Sequence, residues 1–415
     1  MSLLRLGPVF VLVWLSQSLS QLGNAVQRLG VAWWILDTTE SAALAGLWIA
    51  LTTLPLVLVS PLAGRLADRI DRLTIMMAAE FAGALLAIAA LGVFTGWRDG
   101  QFPALLAIEV GLAMAAAVLT PASMALVPAH VSPGHVPRAT SWMTVGQQVA
   151  SMAGPVLGGI LVASAGVRGA LLVNAVSFGV SVVLLGLARL IASRGARPRP
   201  DTGATPPSGP EGAGDRFSLR DHPEVRQLLT AFALSNIGIA AIPVLVPVWA
   251  RLVFHAGPRG LGLLEGALGA GILLGAAGMG VWNRPIEGAR AWSSRMLVAM
   301  GLTHALVFVG GSIGTRIPGY RPFVVTFVML GVFGILLGTL NTGVVAAFQR
   351  MVPDRHRGTF MGLMVAMVTG PVPLAQAATG WLAGFPQREL YVLLMALWLG
   401  GIGAWLGRRA SVTSR

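Results

Sequence analysis

Long apolar stretches recur down the chain, separated by short polar breaks. A helix crossing a bilayer needs about 20 mostly apolar residues. Twelve runs of that kind fall at 7–36, 42–63, 73–93, 103–127, 141–163, 169–191, 228–248, 260–281, 296–314, 324–346, 361–383 and 390–405. The pattern predicts an all-α membrane protein with twelve transmembrane helices. The first run exceeds one crossing, so it predicts a tilted helix or one that extends past the bilayer. It follows Arg5 much as a secretion signal would, but it is too long and no small-residue cleavage site ends it.

One stretch breaks the rhythm. Around Arg197-Pro198-Arg199-Pro200 and Pro206-Pro207-Ser208-Gly209-Pro210 the chain has the composition of a flexible linker. It separates two sets of six spans, and the expected organisation is 1–192, a linker at 193–222, and 223–415. The halves carry parallel signals. Val127-Pro128, Arg138-Ala139-Thr140 and Gly154-Pro155 in the first correspond to Val352-Pro353, Arg357-Gly358-Thr359 and Gly370-Pro371 in the second. With six spans on each side, this supports two pseudo-symmetric six-helix bundles.

Composition narrows the class. Of 415 residues, 55% are hydrophobic and 11% charged, against about 25% charged in soluble domains. That charge is too little to cover a soluble body of this length. The net charge is +13, and every cation is arginine. The arginines concentrate in both termini, the linker and alternate connections, which places these on the cytoplasmic side of a cell membrane by the positive-inside rule. Because the arginines are spread over separate segments, they argue against a nucleic-acid face. With no cysteine, disulfides and thiolate metal sites are excluded. With no lysine, a P-loop is excluded too. No cofactor and no metal site is expected, and a monomer is.

Between spans two and three lies Gly64-Arg65-Leu66-Ala67-Asp68-Arg69-Ile70-Asp71-Arg72. An aspartate at a helix end can sit against the positive N-terminal end of a neighbouring helix, and arginines there can pair across a bundle interface. This loop resembles the G-x-L-A-D-R-x-G-R signature of the major facilitator superfamily, departing from it at Asp71, where the signature has Gly. Ser41-Ala42, Val127-Pro128, Gly154-Pro155-x-x-Gly158-Gly159 and Arg357-Gly358 resemble its drug:proton antiporter branch, the macrolide-efflux and enterobactin-exporter type. The resemblance implies a gating role for Gly64, Asp68, Arg69, Arg72 and Gly358. Asp68 would contact the start of span eleven and favour the outward-open state.

Polar groups inside the spans are the candidate chemistry, since ionisable residues there cost several kcal/mol. Gln17, Gln21, Asn24 and Arg28 are spaced four, three and four apart. They share one face of span one, which must look onto protein or water. By the resemblance, that face lines a central cavity. Gln147 and Gln148 (with Thr144 and Ser151), Asn236, Asn341 and Gln376 are further substrate-binding candidates. Glu109 and Glu265, at similar depth in spans four and eight, are candidates for carrying a proton; Glu80 is a third, with a structural pairing to the charged loop favoured for it. Trp33 and Trp34 read as interface anchors. Gly310-Gly311-Ser312-Ile313-Gly314 fits the nucleophile-elbow pattern, but that pattern needs a strand-turn-helix setting. His304 is a lone membrane histidine. The expected function is a secondary transporter, not an enzyme, exporting amphipathic or hydrophobic organic molecules in exchange for protons. A lipid or lysophospholipid transporter of the same superfamily and a membrane-embedded hydrolase are the alternatives. The partners are then a small amphipathic substrate, protons and membrane lipids, without nucleic acid.

Overall fold

The computed structural model describes residues 6–96, 101–195, 218–282, 288–314, 321–353, 356–385 and 388–412. Within its helices, the side chains of 60–69, 95–96, 195, 282, 308–314, 321, 358–359, 388–390 and 410–412 lie outside the description. In chain order the helices are α1 Pro8–Thr39, α2 Ala42–Arg69, α3 Arg72–Gly96, α4 Gln101–His130 and α5 Val136–Gly195, then α6 Pro223–Ile239, α7 Ile242–Val248, α8 Gly257–Trp282, α9 Ala289–Gly314, α10 Arg321–Met351, α11 Arg357–Thr369, α12 Val372–Ala383 and α13 Arg388–Val412. The described residues include no strand, so the Ser312 motif falls at the end of helix α9 and not in an elbow.

Ten helical stretches among the described residues are long and apolar enough to cross a membrane. The sequence predicts more because two of its spans merge. Spans five and six form the 60-residue α5, bent at Gly166, where φ is 67° and ψ is −174°. A positive φ suits glycine, and the bend turns the chain back without a polar loop. α9 is not among the ten.

Span seven is one run in sequence and three pieces in structure: α6, α7 and a π turn at Trp249–Val253. Span eleven divides into α11 and α12. The two Gly-Pro pairs of the apparent repeat therefore behave differently. Pro155 sits inside α5, whereas Pro371 interrupts its helix. Pro371 and Pro373 both lack an N–H, so the carbonyls of Met367 and Thr369, two within three residues, lose their helical donors. Around Pro155, glycines let the neighbouring helices clamp the backbone straight.

Helices α1 to α5 pack among themselves, α1 lying along α5 and α3 against α4 and α5. Helices α6 to α13 do likewise, with α8 on α10 and α9 on α10 and α13. Two seams join the groups, α5 on α8 and α2 on α12. Both are made by glycine. A Cβ on Gly159 would lie 2.6 Å from the Pro258 carbonyl oxygen and 3.1 Å from Gly262 Cα; one on Gly46 would lie 2.5 Å from Gly380 Cα. Short connections force antiparallel neighbours, so these contacts lie towards the end of the molecule opposite Pro8 and Val412, hereafter the far end. A buried apolar cluster including Val31, Ile35, Ala45, Trp48, Leu245, Trp249 and Ala383 unites both groups there.

Candidate functional site

Helix α1 carries most of the polar groups, and its neighbours decide what each one meets. Near the terminal end α3 covers it. Gln17 is buried and donates from Nε2 to Glu80 Oε1 at 3.1 Å, and the Ser20 hydroxyl donates to Glu80 Oε2 at 3.0 Å. Glu80 is fully buried. Its partners among the described residues are thus amide and hydroxyl groups of α1; the loop arginines Arg65 and Arg69, expected as its partners, lie outside the described side chains. At the same level, Ser16 and Ser181 exchange hydrogen bonds with each other's backbone carbonyls at 3.4 and 3.0 Å.

Nearer the far end a chain of amides crosses the first bundle. Ser177 donates to Asn174 Oδ1 at 3.1 Å. Asn174 Nδ2 donates to Gln27 Oε1 at 2.8 Å and to Asn24 Oδ1 at 3.1 Å. Gln27 Nε2 donates to Glu109 Oε1 at 2.5 Å. Gln27, Asn174 and Glu109 are all buried. Gln27 and Asn174 are absent from the sequence-based candidates. Gln27 lies just off the polar stripe, three residues from Asn24, and Asn174 is a lone amide in an apolar run. Unpaired amides at that depth would be costly, and mutual pairing is what each of those isolated signals pointed to.

Arg28 ends the stripe. It is exposed, makes no hydrogen bond or ion pair among the described residues, and its charge acts on both Glu109 of α4 and Glu265 of α8. Glu265 is half-buried. The glycine seams set this register. A Cβ on Gly154 would meet Ala25 Cβ, one on Gly158 would meet Val26, and one on Gly266 would meet Val156. Positions 25–29 of α1, 154–159 of α5 and 262–266 of α8 therefore share one level, and Glu265 lies between Gly262 and Gly266.

The other candidates scatter. Gln21, Gln147 and Gln148 are half-buried; Asn341 is exposed. Asn236 donates to the Phe232 carbonyl of its own helix at 2.8 Å. Gln376 is buried beside the α2 seam, and its Oε1 has no hydrogen-bond partner among the described residues. Gly64, Asp68 and Asp68's neighbour Arg69 are placed in α2 and Gly358 in α11 by their backbones, but their side chains lie outside the described part. Arg72 is half-buried at the start of α3. Asp71, the departure from the signature, caps α3: its Oδ2 accepts from the Thr74 amide at 3.0 Å and the Thr74 hydroxyl at 2.7 Å, and Arg189 donates to that hydroxyl at 2.7 Å. Partial burial raises the Asp71 carboxyl, but these hydrogen bonds and the charges of Arg189 and His130 outweigh it and hold it below the usual range.

At the far end a charged clasp joins the bundles. Arg251, in the π turn, sets its Nε 2.9 Å from Asp37 Oδ1 and its Nη2 3.8 Å from Glu40 Oε1 at the end of α1. Its guanidinium also lies 5.9 Å from the centre of the Trp33 ring. Trp33 is therefore a buried partner of the clasp, while Trp34 stacks edge-on against Phe94. With the glycine seams, the clasp closes this end.

Comparison with known proteins agrees with this architecture. A structure described as a bacterial homologue of iron transporter ferroportin in inward-facing state superposes with a TM-score of 0.75 at 17% identity, covering 98% of this chain and 100% of that one. A D-xylose-proton symporter gives 0.71 at 12% identity over 96% of each chain. At such identities the likeness shows the fold alone. The uncharacterized MFS-type transporter YfiS of Bacillus subtilis (strain 168) is 29% identical over 171 residues, a match spanning 41% of this chain and 40% of that protein's length. The family profile of the Major Facilitator Superfamily matches residues 13–375: a multi-pass helical membrane transporter, the chain belongs to the Major Facilitator Superfamily.

Proposed function

We propose that the protein exports amphipathic organic molecules in exchange for protons, by rocking two six-helix bundles about a site between them. Counting α5 as two spans about Gly166 and adding α9 brings the ten stretches to twelve crossings. The first bundle is 1–192, the second 223–415, and the arginine-rich terminal end faces the cytoplasm of a cell membrane. The chain then works as a monomer, since each bundle pairs with the other of the same chain.

The observation that carries this reading is Arg28 with Glu109 and Glu265. One carboxylate belongs to each bundle, both lie within spans, and the amide chain behind Glu109 holds it in place. A carboxylate at that depth is a group that can bind and release a proton as its surroundings change. The other polar groups shown at that level are amides, Asn24, Gln27 and Asn174, which suits an amphipathic molecule better than a multiply charged one. What the structural neighbours carry, by their descriptions, ranges from metal to sugar, so the fold alone does not choose the cargo.

Closure at the far end is what an inward-open state requires under this orientation. The Asp68 loop would close the terminal end when the bundles rock the other way, as the family signature implies. The test is uptake into inverted vesicles driven by a pH gradient, using a panel of amphipathic compounds. Wild type is expected to accumulate at least one of them; Glu109→Gln and Glu265→Gln are expected to abolish the driven component and leave binding measurable. Normal pumping by both variants would overturn proton coupling through these residues. Movement of labelled lysophospholipid with no efflux of any organic compound would favour the lipid alternative instead.

A further inference from the structure

The position of Arg28 constrains the charge of the cargo. Three ionisable groups meet at one level: Arg28 on α1, Glu109 on α4 and Glu265 on α8. Helix α5 contributes none there, its residues from Met152 to Ile160 being uncharged; Gly154, Gly158, Gly159 and Gly266 fix the register of α1, α5 and α8, and the Gln27–Glu109 hydrogen bond ties α4 to α1. No ion pair within 4 Å joins Arg28 to either carboxylate among the described residues. Arg28 therefore pairs with neither carboxylate among the described residues, and a group bound at this level would meet all three charges.

We infer that Arg28 is a selectivity residue, a fixed positive charge that limits the Glu109–Glu265 pair to a cargo carrying one positive charge. The reasoning is a charge count and rests on the transport reading above. With both carboxylates ionised the trio is net −1, which one monocation neutralises. With both protonated it is net +1, and the same monocation is repelled. A dication would leave an excess positive charge in a partly desolvated site, where an unpaired charge is expensive. An anion would face two carboxylates for one guanidinium. Glu265 is the group left to receive the cation. It accepts no hydrogen bond among the described residues, whereas Glu109 already accepts one from Gln27. Arginine suits the task because it stays charged at any working pH.

The test is equilibrium binding to the full protein in nanodiscs, with no ion gradient, so its outcome does not depend on transport. Four probes share a naphthylmethyl body and differ in the head: trimethylammonium, hydroxymethyl, carboxylate and a bis-quaternary dication. Wild type is expected to bind the monocation at least about tenfold more tightly than the other three, the scale of one unit charge acting across several ångströms in such a site. Arg28→Gln is expected to tighten the monocation and bring the dication level with it, while Arg28→Lys keeps the wild-type order. The inference fails if wild type prefers the neutral or anionic probe, if no probe binds, if Arg28→Gln leaves the order unchanged, or if Arg28→Lys behaves like Arg28→Gln. Should Arg28→Gln not fold, the wild-type order and Arg28→Lys still decide. Loss of proton-driven transport with this order intact would sink the antiport reading alone.

Discussion

Removing Arg251 should open the far end, by an amount the structure lets us bound. Arg251 is 23% exposed and Asp37 49% exposed, with 2.9 Å between Nε and Oδ1. A pair this open to solvent contributes about 0.2–1 kcal/mol. Glu40, 71% exposed and 3.8 Å away, adds little. The Trp33 ring is buried but 5.9 Å off, near the limit of about 6 Å for a cation–π contact, so the lower figure of about 0.5 kcal/mol applies. Together the clasp favours closure by roughly 1 kcal/mol, about a five- to tenfold bias in population at about 1.4 kcal/mol per decade. The chain has no cysteine, so a labelled pair has no background. Spin labels at Ala107 of α4 and Val324 of α10, both exposed near the far end, would report the gap by double electron–electron resonance. Arg251→Ala should raise the ratio of long to short distances by about that factor, with Arg251→Lys in between because it loses the planar fork. An unchanged ratio, or a full second increment when Asp37→Asn is added to Arg251→Ala, would refute the clasp.

Other substitutions probe separate parts of the account. Asp68→Asn should shift the same label pair the opposite way, towards the short distance, because it weakens closure of the terminal end; no change would remove the loop from gating. Gly159→Ala places its Cβ against backbone on α8, so overpacking should cost about 1–3 kcal/mol and lower Tm, while Gly92→Ala, with open space around it, should leave Tm unaltered; equal effects would mean the seam is not tight. Asp71→Ala should cost about 0.5–2 kcal/mol through the lost cap. Since the folded carboxyl titrates below its unfolded value, that contribution is present above about pH 3.9 and is lost as pH falls through the lowered value. Thermal melts of wild type and Asp71→Ala should therefore converge in acid, and a gap that widens there would contradict the assignment.

The helices were legible because membrane spans advertise themselves by length and hydropathy. What sequence could not show was how runs join or break. Gly166 turns α5 without a polar loop, and the pair Pro371 and Pro373 interrupts span eleven where the lone Pro155 leaves span five whole. The polar stripe on span one was readable as a face, but its fate depends on neighbours. Gln17 meets Glu80 because α3 covers that level, and Arg28 stays open because α4 and α8 stand apart there. Glu109 and Glu265 could be matched by depth alone. Gln27 and Asn174 could not be found that way, since Gln27 lies just off the stripe and Asn174 is a lone amide in an apolar run until folding places them together. Asp37 and Arg251 sit at span ends, where charge is ordinary, and only the tertiary structure pairs them.

The central claim is that cargo and protons compete for the same carboxylates. It is tested most directly by following proton release from the purified protein, in weakly buffered solution with a pH indicator, as an amphipathic monocation is added from a stock at the same starting pH. Release in wild type that falls away in the Glu109→Gln, Glu265→Gln double variant is the predicted result; binding accompanied by no proton release, or by proton uptake, would contradict it.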